Sequence, residues 1–239
     1  QIQTFVGVKG GGAGGVAPLP GNGHFFYFKC RPCFWLGLPQ FLQLLVLFYS
    51  LVPQVLIFRV KKYRMKALPF KIPMPEEASV RVQEDRSSHF YDRLHFHPEL
   101  QLTLIAKGYG SGLVGNQMVD FGEGDLFLLG SNLPHLFKCD ESFYAHPERG
   151  VYAISLFFRE ESFGERFWRL PELYAIRDLL RQSTNGLSLR GAAQSRLRQG
   201  LLAMPRANAF ERLWGLLDLL RMASELERIP LSNWESTHW

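Results

Sequence analysis

His95-Phe96-His97-Pro98-Glu99-Leu100-Gln101-Leu102-Thr103-Leu104 is the stretch that decides the fold. Leu100, Leu102 and Leu104 alternate with Gln101 and Thr103, a period of two that places one face of a β-strand in a core. Two imidazoles stand just ahead of that strand. Further on, a Gly124-Asp125 turn leads into Leu126-Phe127-Leu128-Leu129 and then Pro134-His135, so a neighbouring strand delivers a third imidazole. Histidines carried toward one another on adjacent strands are how a small β-barrel builds a pocket. Such a pocket can catalyse, hold a metal or sense a ligand, and the surrounding chain decides between these.

Outward from that stretch, residues 79–158 read as short strands punctuated by turns. Val80 and Val82 alternate with Arg81 and Gln83. Lys107-Gly108 closes one strand and Gly110-Ser111-Gly112 opens the next. Gly115-Asn116-Gln117 reads as a tight hairpin turn, after which Met118-Val119-Asp120-Phe121 resumes the alternation. Gly122-Glu123-Gly124-Asp125 is a further turn, and Val151 to Phe158 is a buried strand. Many short strands at even spacing predict a closed barrel or jelly roll rather than an open sheet.

After Phe158 the period changes to that of a helix. Leu170, Leu173, Ile176 and Leu180 mark a first helix ended by Asn185-Gly186. Ala193, Leu197, Leu201 and Met204 mark a second, stopped by Pro205. Phe210, Leu213, Trp214, Leu217 and Leu220 mark a third that reaches about Leu226. Its leucines cover more than one face, so it either packs between the barrel and its neighbours or buries a surplus face against a second chain.

The first 64 residues differ in kind. No Asp or Glu occurs before Glu76, and seven of the chain's 27 Lys and Arg lie before Met65. That leaves 20 basic residues against all 22 acidic ones, a net charge of −2 for residues 65–239, so the basic balance of the whole chain is no sign of nucleic-acid binding by the folded part. Residues 7–23 are Gly-rich without hydrophobic periodicity. Residues 34–60 are almost wholly apolar and long enough for a membrane span of about 20 residues, but Pro39, Pro53, Gln40, Gln43 and Gln54 interrupt them. The expectation is that residues 1–64 are upstream sequence and Met65 a natural start, with a membrane not expected as a partner. Cys30 and Cys33 have no second pair at zinc-site spacing, and Cys139 stands alone, so nothing requires an oxidising compartment.

The order His-x-His, Gly-Asp turn, Pro-His resembles the two-part signature of the cupin barrel. Barrel first and helices after, over residues 65–232, further resembles the amino-terminal half of AraC-type transcriptional regulators. That resemblance rests on Met65 to Pro73, on His95 to Leu102, on Gly186-Leu187, and most on Gly124-Asp125-Leu126-Phe127-Leu128-Leu129-Gly130-Ser131-Asn132-Leu133-Pro134-His135. It implies a mainly β fold, a cupin-like jelly-roll barrel followed by about three helices. The implied boundaries are residues 1–64 as a leader, 65–158 as the barrel with an N-terminal arm, 159–228 as a helical dimerisation segment and 229–239 as a truncated linker.

Family membership would also imply an effector-sensing, dimerising barrel joined by a linker to two helix-turn-helix units. No basic helix of that spacing follows Leu226, so DNA would be reached only through a C-terminal domain not present in this chain. In metal-binding cupins the ligands are the two early histidines, a carboxylate four or five residues after the second, and the late histidine. Here those carboxylate positions are Gln101 and Leu102, so the acid is missing. Three neutral imidazoles suit zinc, copper, nickel or iron, whereas an amide at Gln101 serves a polar ligand with both its oxygen and its nitrogen. A structural role for the histidines is the bland alternative.

The resulting expectation is a cytoplasmic, non-enzymatic sensor. It would bind a small polar effector through His95, His97, Gln101 and His135, without metal or cofactor, and would form a homodimer. The rival reading is a metal-dependent cupin enzyme, a dioxygenase or isomerase.

Overall fold

The computed structural model describes residues 66–74 and 78–234. The readings of residues 1–64, of Cys30 and Cys33 and of Met65 fall outside these. Two sheets form the body. The first has five strands in the order β1 (Leu68–Pro69), β3 (His95–Phe96), β8 (His135–Cys139), β5 (Gly110–Val114) and β6 (Gln117–Phe121). The second has six, in the order β11 (Glu227–Pro230), β10 (Leu187–Arg190), β7 (Leu126–Leu129), β4 (Leu100–Lys107), β9 (Val151–Phe158) and β2 (Val80–Ser87). All pairings are antiparallel except that of β1 with β3. The fold is mainly β and of the expected jelly-roll type.

β4 sits between β7 and β9, with Leu102 opposite both Leu128 and Leu156. Both of its faces are buried, which sharpens the sequence reading of one core face and one polar face. Leu100, Leu102 and Leu104 join Leu126, Leu128, Leu156 and Phe158 in a cluster that the helices cover. The opposite face carries Gln101, Thr103 and Ile105, and this face lines a cavity between the sheets. A second cluster, including Ile105, Phe127, Leu129, Phe121 and Phe137, fills the rest of the interior.

Among the described residues, four α-helices accompany the strands: α1 (Glu141–Ala145), α2 (Tyr174–Gln182), α3 (Gln194–Ala203) and α4 (Ala209–Ser224). The last three supply Ile176, Leu179, Leu197, Leu201, Leu216 and Leu220 to the cluster over the six-stranded sheet. α4 starts with a capping box: Asn208 Oδ1 accepts from the Glu211 backbone N–H at 3.0 Å, and Glu211 Oε2 accepts from the Asn208 N–H at 2.8 Å. Two details differ from the sequence reading. The first helix begins at Tyr174, because Pro171 and its surroundings form short 3-10 turns (Phe167–Arg169 and Pro171–Leu173). The stretch read as helix and linker contains β10 and β11, which extend the six-stranded sheet through Leu187↔Leu128 and Leu187↔Pro230. Strands of four residues carry too little periodicity to stand out between helices, and Pro230 is tolerated because β11 is an edge.

Among the described residues, no helix is long and apolar enough to cross a membrane.

Candidate functional site

The antiparallel pairing of β3 with β8 puts His95 directly opposite His135. His97 follows β3, and Gln101 is the second residue of β4. The structure therefore brings together all four residues that the sequence singles out. The His95 and His135 ring centroids are 4.3 Å apart, those of His97 and His135 5.1 Å, and those of His95 and His97 6.0 Å.

The local sequence explains this placement. Gly130 has no room for a side chain, since a Cβ there would lie 2.6 Å from the Ser183 carbonyl oxygen. Asn132 adopts the left-handed conformation at φ 58°, for which Asn is suited. Its backbone N–H donates to the His97 carbonyl at 2.8 Å, and Ser131 Oγ donates to the Pro98 carbonyl at 2.6 Å. The Gly130-Ser131-Asn132-Leu133-Pro134 loop thus ties the chain around His97 to the start of β8, where His135 stands.

Each imidazole is oriented in the same way. His95 Nδ1 meets the Arg93 carbonyl at 2.8 Å, His97 Nδ1 the Glu99 carbonyl at 3.0 Å, and His135 Nδ1 the Leu133 carbonyl at 2.8 Å. A carbonyl only accepts, so each Nδ1 carries the proton and each neutral ring turns an Nε2 lone pair inward. Burial pushes the pKa of all three histidines down, that of His135 well below the usual imidazole range with the charges of His95 and His97 adding to the effect. His135 Nε2 is buried with no hydrogen-bond partner.

Gln101 Oε1 lies 3.1 Å from His97 Nε2, and Gln101 Nε2 donates to Thr103 Oγ1 at 2.7 Å and to Ser155 Oγ at 3.3 Å. The two hydroxyls are 2.9 Å apart. Thr103 and Ser155 were missed by the sequence reading, although Thr103 shares the parity of Gln101 and Ser155 is the one serine inside an apolar strand. Behind His97, Glu99 is only 1 % exposed; Arg159 binds its Oε1.

The cavity holds about 370 Å³. Besides the histidines and Gln101 it is lined by Phe70 and Ile72 of the N-terminal arm, by Asp85 on β2, and by Tyr91 and Phe157. The arm is tied down by β1, with the Phe70 N–H donating to the Phe96 carbonyl at 2.8 Å. The Phe70 ring packs against both Tyr91 and His95, at 5.2 Å between centroids in each case.

Cupin barrels that use a metal place it among such histidines. The ligating nitrogens of His95, His97 and His135 all lie within 4.8 Å of one another, each second nitrogen is held by a carbonyl as in metal-ligating histidines, and one buried Nε2 has no partner. These residues fit a transition-metal ion.

The sequence profile of the AraC-like ligand binding domain matches residues 77–228. No curated protein matches the sequence. Among solved structures, the chain is similar to an oxalate decarboxylase of Bacillus subtilis studied for its Mn(II) centres, at 22% identity over 36% of this chain and 22% of that one, with a TM-score of 0.28. A second oxalate decarboxylase structure, studied for an element that modulates proton-coupled electron transfer, is 23% identical over 38% of this chain and 23% of that one, with the same TM-score of 0.28. The chain spans under a quarter of the length of these enzymes, and so slight a likeness carries no argument about activity. The profile match covers well over half of the sequence and the same barrel and helices: the chain belongs to the family of AraC-like ligand binding domains.

Proposed function

We propose that this domain senses a small polar effector and is the regulatory half of an AraC-type transcription regulator of the cytoplasm. The effector enters the cavity and meets His95, His97, Gln101 and His135; the domain binds it without turning it over. The observation that carries this reading is the convergence of four acceptor atoms, one of them buried without a partner, on a cavity that the arm partly covers. A ligand shifts an equilibrium only by its differential affinity for two states, and on this reading the arm supplies the difference: Phe70 and Ile72 line the cavity, and the short strand β1 before them pairs with β3. His95, His97 and His135 would hold a transition-metal ion, which would supply Lewis acidity there.

Two further parts belong to this reading. DNA is reached through a helix-turn-helix region outside this sequence. A homodimer forms through the helices, whose Tyr174, Phe210 and Trp214 are 66%, 72% and 67% exposed. Large aromatic side chains left open on two helices are what an interface between copies would cover.

The test is a thermal-shift screen of small polar compounds on the full chain, repeated on Gln101→Leu, beside sedimentation of the wild type and Trp214→Glu. A compound that stabilises the wild type but not Gln101→Leu supports the sensing role. A panel in which no compound stabilises the wild type would overturn it. A wild type that sediments as a monomer would overturn the dimer.

A further inference from the structure

The polar end of the cavity is made of acceptors. His95, His97 and His135 each spend their N–H on a backbone carbonyl and offer Nε2 to the interior. Gln101 turns its amide nitrogen toward Thr103 and Ser155, which leaves Oε1 facing His97 Nε2 at 3.1 Å. With the His97 proton on Nδ1 and the amide oriented this way, two acceptors face one another at that distance, whereas an amide turned over would donate to His97. A cation between them resolves the clash. The separation is also that expected of two atoms bound to one metal at about 2.1 Å each.

The donor set is neutral. Glu99 stands behind His97, on its Nδ1 side, with Oε1 taken by Arg159. Asp85 belongs to the far end of the cavity: in register it is two strands across from Gln101 and four residues further along, about 16 Å between Cα atoms. Four neutral donors leave a divalent ion with its double charge undiminished, in a buried setting where each charge acts strongly.

Resting on the sensing role above, we propose that His95, His97 and His135 through Nε2 and Gln101 through Oε1 hold one divalent transition-metal ion, and that its full double charge selects a small carboxylate as effector. Gln101 is then a ligand in its own right. Thr103 and Ser155 are positioning residues that hold its amide nitrogen so that the oxygen points inward. Imidazole with one carbonyl oxygen suits zinc, copper, nickel or cobalt, and not magnesium or calcium.

The full chain, stripped with a chelator and titrated with Co²⁺, gives a visible absorption band that saturates at one ion per chain. Malonate changes that band and stabilises the loaded protein, and has no effect on the stripped protein. Gln101→Glu binds Co²⁺ at least tenfold more tightly, because a negative ligand replaces a neutral one, but responds less to malonate. Gln101→Leu binds it roughly tenfold more weakly. His135→Ala loses the band, and His95→Ala repeats this at a position closer to the surface, where folding is less at stake; both are checked by circular dichroism.

Absence of the band overturns the metal site. Wild-type cobalt affinity in both Gln101 variants overturns Gln101 as a ligand, as an amide flipped to donate to His97 would give. Equal malonate response in wild type and Gln101→Glu overturns the selection by charge. If xylitol, a neutral polyol, stabilises stripped protein that shows no cobalt band, sensing stands and the metal site falls; if neither malonate nor xylitol nor any screened compound stabilises either form, sensing itself falls.

Discussion

Arg159 donates two hydrogen bonds to a single carboxylate oxygen of Glu99, from Nε at 3.0 Å and from Nη2 at 2.6 Å. Glu99 is buried, its other oxygen has no hydrogen-bond partner, and the His97 N–H 3.6 Å from that oxygen is already given to the Glu99 carbonyl. The pair joins the loop that carries His97 to the end of β9, where the helices begin. Arg159→Met strands a buried carboxylate and costs about 1–3 kcal/mol, less than for a fully buried pair because Arg159 is 46% exposed. Urea denaturation of the full chain reads this as a lower midpoint; an unchanged midpoint would show that other groups carry Glu99.

The two faces of β4 separate stability from binding. Leu102 is fully buried under the helices, so Leu102→Ala costs about 2–5 kcal/mol through lost burial and the cavity it leaves. Gln101→Leu keeps volume on the cavity face and removes polar atoms that serve one another, so it changes stability by roughly 1 kcal/mol or less. Its effect falls on effector binding. Paired melts of the two variants check the contrast.

Much of this was legible in the sequence. The alternation from Leu100 to Leu104 gives the strand, and the turn chemistry at Gly115-Asn116 and Gly124-Asp125 fixes its neighbours, so the barrel and the convergence of His95, His97, Gln101 and His135 follow from local rules. The role of the leucine face was not legible: period two shows that a face is buried, but not whether it meets the barrel interior or a layer of helices. Ser155 and Asp85 were hidden because cavity membership depends on strand order, and β2 reaches the cavity only by pairing with β9. β10 and β11 were hidden because strands of four residues have no pattern long enough to read. Arg159 is one of several arginines until the fold sets it beside Glu99.

Gly130 and Gly186 are both positions where a methyl group has no place, for different reasons. A Cβ at Gly130 would meet backbone, the Ser183 oxygen at 2.6 Å and the Thr184 Cα at 2.8 Å. At Gly186 the chain has φ +66°, and a Cβ would lie 2.8 Å from Val114 Cγ1. Gly130→Ala therefore forces a backbone shift in the loop that holds His97, costing about 1–3 kcal/mol, and weakens effector binding as well. Gly186→Ala costs about 1–2 kcal/mol in strain; its Cβ would meet the side-chain ends of Val114, which pairs with His135, and of Leu133, whose carbonyl orients His135, rather than backbone, so binding falls less than in Gly130→Ala. Chemical denaturation and ligand titration on the same two proteins distinguish them.

Asp178 ties α2 to β11. Its Oδ2 accepts from Arg228 at 2.7 Å, and its Oδ1 from Arg181 at 2.7 Å. The hydrogen bonds from Arg181 and Arg228 hold its carboxyl below the usual aspartate range. A depressed folded pKa contributes stability that is present above the unfolded value near pH 4 and is lost as pH falls through the folded one. Asp178→Asn should lower stability slightly at neutral pH and flatten the acid limb below about pH 4. Denaturation midpoints of both proteins as pH falls, at low and high salt, check it; salt weakens the bond to the exposed Arg181 more than that to the part-buried Arg228.

The arm offers the sharpest test of how the cavity is closed. Phe70 packs on Tyr91 and on His95, and the Phe70 N–H is bonded to the Phe96 carbonyl, so one residue covers the cavity and rests on one of the candidate ligand-binding histidines. Backbone pairing of β1 does not need the ring, and Phe70→Ala should leave the barrel's melting point within a few degrees of wild type. The ring's contacts with other aromatics are worth about 0.5–1.5 kcal/mol, so effector affinity should fall roughly threefold to tenfold, mostly through faster dissociation. Phe70→Tyr, which keeps the ring, should restore it. Stopped-flow dissociation on the three proteins decides the matter: equal off-rates for wild type and Phe70→Ala would mean that the arm lies beside the bound effector without holding it.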